Sequence, residues 1–158
     1  MDLVQNLEEL ALATRLKRLS ERLSNDVSKI YKESNLDFEA KWYLILEILN
    51  RNKLMAITEM ADSLKLSHPA IVQFVDQLLK KKLIKASADK NDARKRMISL
   101  SKEGKEMLTQ ITPILEVIKA ENKKWIESAN YDILQILSEL ESSLDEKSMY
   151  LRVKENLK

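Results

Sequence analysis

The chain has 158 residues, 44% hydrophobic and 33% charged, which is enough for one domain with an apolar core and argues against disorder. It has no cysteine and one histidine, which excludes disulfides, thiol chemistry and paired-histidine zinc motifs. A single glycine cannot build a glycine-rich phosphate loop, and so few turn-forming residues favour long helices over a β-sandwich or barrel. We therefore expect a mainly helical protein that is not an enzyme and holds no cofactor or metal.

No apolar run reaches the roughly 18 residues of a membrane span, and the N-terminus lacks the charged-then-apolar pattern of a signal peptide. We expect a cytoplasmic protein with no membrane partner.

Two helices are predicted at the start of the chain. Apolar residues recur every three or four positions over 3–31, the period of a long amphipathic helix. After a break at 34–37, a second helix over 38–49 is apolar on most of its circumference, and 50–53 end it.

The next segment predicts a helix-turn-helix. A helix over 57–64 is followed by a tight turn at 65–67 and a helix from His68 to about Lys81. Ser67 is a plausible N-cap, and Pro69 lies in the first turn, where its missing N–H costs nothing. The spacing puts Ile71, Phe74, Val75 and Leu78 on the inner face, and it points outward His68, Val72, Gln73, Asp76 and Gln77.

The period then changes to that of two short strands, 83–87 and 96–100, joined by a polar hairpin over 88–95. Ser101 can cap a further helix, in which Pro113 predicts a kink. A last helix is expected from about Tyr131.

Positive charge is concentrated around this hairpin. Residues 80–105 hold ten basic and three acidic side chains, on a chain whose net charge is +2. This pattern is typical of a phosphate-binding element, because DNA affinity depends largely on neutralising backbone charge. The alternative is a solvated, lysine-rich surface.

The stretch from Ile57 to Gly104 resembles the winged helix-turn-helix of MarR-family regulators. Asp92-Ala93-Arg94, five further residues, Leu100-Ser101 and Gly104 are similar to the family's wing pattern of D-x-R, five residues, L-[ST] and a nearby glycine. Residues 75–84, VDQLLKKKLI, resemble the family's v-d-r-L-e-k-k-G-L-i. Lys82 replaces the usual glycine, Ala86 stands where arginine is common, and the outward helix face lacks its usual arginine.

The resemblance implies a mainly α fold with a small β-hairpin wing, a winged helix-turn-helix flanked by dimerisation helices. One domain would cover 1–158, with dimerisation helices in 1–33 and 101–158 and the core in 53–100. The implied function is that of a homodimeric, sequence-specific regulator on a pseudo-palindromic double-stranded DNA operator. The alternatives are a protein-interaction module that has lost DNA binding and, third, an enzyme, for which no catalytic cluster is found.

The resemblance also implies roles for single residues. Arg94 would enter the minor groove with Asp92 bracing it by an ion pair, although Asp92 could be an ordinary turn aspartate. Gln73 is the best candidate to read adenine, and Val72 could contact a thymine methyl. The full set of predicted DNA contacts is Ser67, His68, Pro69, Val72, Gln73, Gln77, Lys85, Lys90, Arg94, Lys95 and Arg96.

Three aromatic residues, Tyr31, Trp42 and Tyr43, could line a pocket for a small aromatic effector of the kind that many family members bind. The alternative is that they belong to the apolar core.

Overall fold

The computed structural model describes residues 2–92 and 94–157, which form eight α-helices, two short 3₁₀ helices and three β-strands. The helices are α1 (Leu3–Asn6), α2 (Leu12–Glu33), α3 (Tyr43–Asn52), α4 (Ile57–Leu64), α5 (His68–Lys80), α6 (Lys102–Glu127), α7 (Ile133–Glu146) and α8 (Met149–Asn156). The strands are β1 (Leu54–Ala56), β2 (Ile84–Ala88) and β3 (Arg96–Leu100). The predicted fold class, mainly α with a small hairpin wing, is confirmed.

Two compact units make up the chain, the first ending at Ile114 and the second beginning at Leu115. The first unit contains the helix-turn-helix and the wing. The prediction of one domain over 1–158, with its inner boundaries, stays a prediction.

The N-terminal helix is not continuous, contrary to the prediction for residues 3–31. Asp2 caps α1 by accepting a hydrogen bond from the Val4 N–H at 3.1 Å. A 3₁₀ helix over Glu8–Ala11 follows, and Glu8 has a positive φ of 49°. Since a positive φ is incompatible with a right-handed helix, the long helix begins only at Leu12.

The second predicted helix begins later than expected. Residues 38 and 39 lie before it, and the Ser28 hydroxyl of α2 accepts the Ala40 N–H at 3.0 Å. The segment opens as a 3₁₀ helix over Ala40–Trp42 and continues as α3 to Asn52. Ser28 and Ala40 are twelve positions apart in the sequence. The periodicity of neighbouring residues therefore could not locate the start of the helix.

The three strands form one antiparallel sheet in the order β1-β3-β2. In the wing, Ile84 pairs with Leu100 and Ala88 with Arg96. Strand β1, whose three residues pair with Ser99, Ile98 and Met97 of β3, was not predicted from the sequence. A strand of three residues is too short to show an alternating pattern.

The core of the first unit is built from the inner faces of these elements. Its fully buried side chains include Ile45, Leu46, Leu49, Met60, Ile71, Val75, Leu78 and Ile98. They come from α3, α4, α5 and β3, and they hold α5 and the wing sheet in one packed body. Burial of these apolar side chains stabilises the unit. It also fixes the position of the exposed face of α5 relative to the hairpin.

The C-terminal segment contains two helices rather than one. Helix α6 continues through Pro113 without interruption. Asp132 caps α7 and Ser148 caps α8, each through its side-chain oxygen. The Arg152 guanidinium of α8 donates to the Ser143 carbonyl and hydroxyl of α7, both at 2.8 Å. The second cap at Ser148 explains why the apolar character at 150–153 belongs to a separate helix.

Candidate nucleic-acid interface

The start of α5 is set by its cap. Lys65 ends α4 in the left-handed conformation with φ 50°, which turns the chain sharply. The Ser67 hydroxyl then accepts the Ala70 N–H at 3.4 Å, and Pro69 lies in the first turn. The predicted cap and proline position are confirmed. His68 and Pro69 are exposed at the beginning of the helix.

The two faces of α5 differ as the helical period requires. Ile71, Val75 and Leu78 are fully buried, while Phe74 is only half-buried. On the other side, Gln73 and Asp76 are exposed and Val72 is half-buried. The exposed face is polar and free to meet a surface as large as a major groove.

Gln77 departs from the expectation of an outward side chain. It is half-buried, and its amide oxygen accepts a hydrogen bond from the Trp42 indole nitrogen at 2.8 Å. This bond ties α5 to the segment that precedes α3. Its role as a DNA contact stays a prediction, since contact with a base would require the side chain to leave this bond.

The wing presents the predicted cations to solvent. Lys85 lies on β2, Arg96 on β3, and Lys90, Arg94 and Lys95 lie in the connecting turn. All five are exposed. Placed on one narrow hairpin, they form a concentrated positive surface of the kind that attracts a phosphate backbone.

The wing tip is organised by Asp89, a turn residue that is not among the site residues predicted from the sequence. Its carboxylate accepts the Asn91 N–H at 2.8 Å and the Asp92 N–H at 2.9 Å. These two hydrogen bonds hold the pKa of the Asp89 carboxyl below its usual value. An aspartate at the start of a polar turn is the local signal for this role, because its side chain can accept hydrogen bonds from backbone N–H groups further along the turn.

Asp92 supports the wing through the backbone. Its carboxylate accepts the Arg94 N–H at 3.0 Å, and its carbonyl accepts the Lys95 N–H at 2.9 Å. Among the described residues, no ion pair joins Asp92 to the Arg94 guanidinium. The predicted bracing by an ion pair stays a prediction, and Ala93 between these residues lies outside the described part of the chain.

Two basic side chains near the hairpin form ion pairs with carboxylates. The Arg96 guanidinium lies 3.4 Å from the Asp76 carboxylate of α5. The Lys81 ammonium pairs with the Asp37 carboxylate. The positive charge that this surface offers to a partner is therefore smaller than the number of its basic residues suggests.

Contacts at the root of the wing explain why its sequence pattern ends with a serine and a glycine. Lys82 has a φ of 58°, in the region that favours glycine. The Ser101 hydroxyl donates to the Lys82 carbonyl at 2.6 Å and accepts the Gly104 N–H at 2.9 Å. A Cβ on Gly104 would lie 2.0 Å from the Leu83 carbonyl oxygen. Serine and glycine here let α6 approach the turn between α5 and β2.

Two of the three predicted aromatic residues, Tyr31 and Trp42, pack against Phe38. Tyr31 and Trp42 are buried, and Phe38 lies between them with ring centroids 5.4 and 5.7 Å away. Burial raises the pKa of the Tyr31 hydroxyl, and the neighbouring Tyr43 adds to this effect. Tyr43 itself is half-buried. This is the geometry of a core, and the ligand role of Tyr31, Trp42 and Tyr43 stays a prediction.

A cavity of about 640 Å³ lies elsewhere, along α1 and α2. Six of its ten lining residues are charged, among them Asp2, Glu9, Arg15 and Arg22, and none is an aromatic residue selected from the sequence.

Residues 2–92 and 94–157 contain no cluster of three side chains that could hold a metal ion. Within the same ranges, no helix has the length and apolarity needed to cross a membrane.

Comparison with known proteins supports the fold of this interface. The model of the MarR family matches residues 40–95. No sequence among the curated proteins matches the chain significantly.

Several solved structures are similar over most of the chain. A MarR mutant from E. coli complexed with operator DNA is 18% identical, covering 91% of this chain and 99% of its own, with a TM-score of 0.62. The regulator MOSR from M. tuberculosis complexed with DNA is 14% identical, with coverages of 85% and 96% and a TM-score of 0.71. The regulator PcaV from Streptomyces coelicolor with its natural ligand is 17% identical, with coverages of 89% and 94% and a TM-score of 0.68. At these identities the likeness is one of fold.

Proposed function

We propose that the chain, whose segment 40–95 matches the model of the MarR family, is a homodimeric, sequence-specific regulator of transcription that binds double-stranded DNA. The observation that carries the proposal is the pairing, within one packed unit, of an exposed polar helix face with a cation-rich hairpin. Helix α5 would enter the major groove while the wing follows the neighbouring backbone.

The exposed residues would make two kinds of contact with DNA. Contacts to phosphates position the protein, and contacts to bases specify the site. Gln73 would read adenine and Val72 would contact a thymine methyl. Ser67, His68 and Pro69 at the start of α5 would lie closest to the groove edge. On the wing, Arg94 would enter the minor groove, where a guanidinium meets an enhanced negative potential. The phosphate contacts would come from Lys85, Lys90 and Lys95.

Two proteins of the same fold were solved with DNA and one with its natural ligand. These complexes support the proposed binding of DNA and a proposed response to a small molecule. Dimerisation would be provided by helices in 1–33 and 101–158, and the operator would be pseudo-palindromic. Its half-sites would lie one helical turn apart, roughly 34 Å, or a multiple of that distance. A small aromatic molecule would release the protein from the operator. The protein would act in the cytoplasm and without catalysis of its own.

Selection of bound fragments from genomic DNA by the purified protein tests the proposal and returns the operator. The selected duplex and a scrambled one are then titrated at three salt concentrations. If about six phosphates are neutralised per dimer, the log–log slope is near −5, roughly a thousandfold loss of affinity between about 50 and 200 mM salt.

Three outcomes are distinct. Tighter binding to the selected duplex supports the regulator. Equal binding to both duplexes keeps the wing and removes Gln73 and Val72 as readers. No binding to either, even at about 50 mM salt, rejects the proposal and favours the protein-interaction module, since salt of that strength leaves phosphate contacts strong.

A further inference from the structure

Helix α5 carries a single carboxylate, and this group lies on the exposed face. Asp76 is the only acidic residue within His68–Lys80, and it is exposed. It follows Gln73 by three positions and Val72 by four, so the three side chains share one face of the helix. An uncompensated negative charge beside the proposed base readers would be repelled by DNA phosphates.

Arg96 compensates this charge from the wing. Its Nη1 atom lies 3.4 Å from the Asp76 Oδ1 atom. Arg96 is the first residue of β3 and pairs across the hairpin with Ala88, whose methyl group is too small to obstruct the long arginine side chain. The two side chains are 47% and 50% exposed, and the pair therefore lies at the surface.

We propose that Arg96 is a positioning residue that cancels the charge of Asp76, and not one of the phosphate contacts of the wing. This inference rests on the proposed function. The pair joins helix α5 to the end of β3 that lies next to the wing turn, and it leaves the DNA-facing side of α5 without net negative charge. A half-exposed ion pair contributes little to folding stability, so the effect of the pair is expected in DNA affinity and its salt dependence.

The two roles predict different results in a double-mutant cycle. If Arg96 neutralises Asp76, Arg96→Gln lowers affinity for the selected duplex by about tenfold per half-site, because a bare carboxylate then faces DNA. Asp76→Asn does not lower affinity. The double variant, with an uncharged pair of similar shape, binds as the wild type does and with the same salt slope. Arg96→Lys keeps the charge and also binds as the wild type does.

Lys85 provides the matched control. It is an exposed wing cation, and the described part of the chain places no carboxylate within 4 Å of its ammonium group. Lys85→Gln is expected to lower affinity by the same factor in the wild-type and Asp76→Asn backgrounds. The contrast separates a free phosphate contact from a neutralising partner.

The experiment titrates these variants on the selected duplex at three salt concentrations, after circular dichroism and thermal unfolding have shown that each is folded. The inference is overturned if Arg96→Gln loses affinity equally with and without Asp76, with a slope shallower by about 0.9 per wing. It is also overturned if the double variant unfolds, since the pair is then structural. If the wild type binds no duplex, the proposed function itself fails.

Discussion

Three lysines hold backbone conformations that glycine adopts more easily. Lys53, Lys65 and Lys82 have φ angles of 65°, 50° and 58° and follow the ends of α3, α4 and α5. For a residue with a Cβ, the left-handed region costs roughly 1–2 kcal/mol. Because the chain has only one glycine, lysines take these positions after the helix ends, and the backbone strain remains there.

Replacing Lys82 by glycine is expected to stabilise the protein. The relief of strain exceeds the added freedom of the unfolded chain, and we expect the free energy of unfolding to rise by about 0.5–1 kcal/mol. Urea denaturation measures this change. Lys82→Ala is the control, because it removes the same charge and keeps the strain. Equal stabilities of the two variants would show that φ at this position carries no cost.

Replacing Gly104 by alanine is expected to destabilise the protein although alanine is the better helix former. The new Cβ would lie 2.0 Å from the Leu83 carbonyl oxygen, and the backbone must shift to avoid it. We expect a loss of about 1–3 kcal/mol in urea denaturation, against a gain of up to about 1 kcal/mol in helix propensity. Gln110→Ala, at an exposed position of the same helix, should be nearly neutral. A Gly104→Ala variant as stable as the wild type would remove the reason given for this glycine.

At the scale of the element, the wing combines exposed cations with backbone hydrogen bonds to the Asp89 and Asp92 carboxylates, which hold the Arg94 N–H while its long side chain can reach a partner. Arg94→Ala removes one charge-assisted contact from each wing. We expect DNA binding to weaken by about 1–3 kcal/mol per wing with the helical spectrum unchanged. Lys119→Ala, which removes an exposed charge of α6, is the control in the same titration. Unchanged affinity of the Arg94 variant would contradict the minor-groove role.

The wing-tip turn is expected to loosen at low pH. Because two backbone N–H groups bind the Asp89 carboxylate and lower its pKa, the turn is fully stabilised above the pKa of the unfolded chain. This stabilisation is lost as the pH falls through the lower, folded pKa. A pH titration of the Asn91 amide resonance should have a midpoint below about 3.9, the value of a free aspartate, and Asp89→Asn should abolish the transition. A midpoint at or above that value would contradict the role of Asp89.

At the scale of the whole molecule, apolar side chains remain exposed near both ends of the chain. Leu3 and Leu10 are exposed in the N-terminal segment, and Ile136, Leu140 and Leu144 in α7. Exposed apolar surface of this extent is typical of an interface between protein chains. The two ends are the segments in which the sequence predicts dimerisation.

We therefore expect a stable homodimer. Light scattering at micromolar concentration should give twice the mass of the 18.4 kDa chain, and Leu140→Glu should shift the equilibrium towards the monomer because it buries an unpaired charge. Ser142→Glu adds the same charge two positions further along α7, on the opposite side of the helix, and should leave the dimer intact. A wild-type monomer whose mass is independent of concentration would rule out the dimer.

Local patterns in the sequence were sufficient for the elements that depend on neighbouring residues. The helical period and the cap at Ser67 located α5 and its inner face, because each requires contacts within a few positions. The alternation of 83–87 and 96–100 located the wing to within one residue. The resemblance of residues 57–104 located the candidate interface, and the match of the family model to 40–95 supports it.

Contacts between distant residues were decided by the tertiary structure alone. Strand β1 exists because β3 lies beside it, and α3 starts where Ser28 holds Ala40. The sequence put Arg96 among the predicted DNA contacts, and only the fold shows that its guanidinium lies beside Asp76, twenty positions away. Sequence therefore determined which side chains carry charge and which helix face is polar, since these follow from residue type and period. Which of those charges face one another depends on packing, because elements remote in the chain become neighbours only when the core forms.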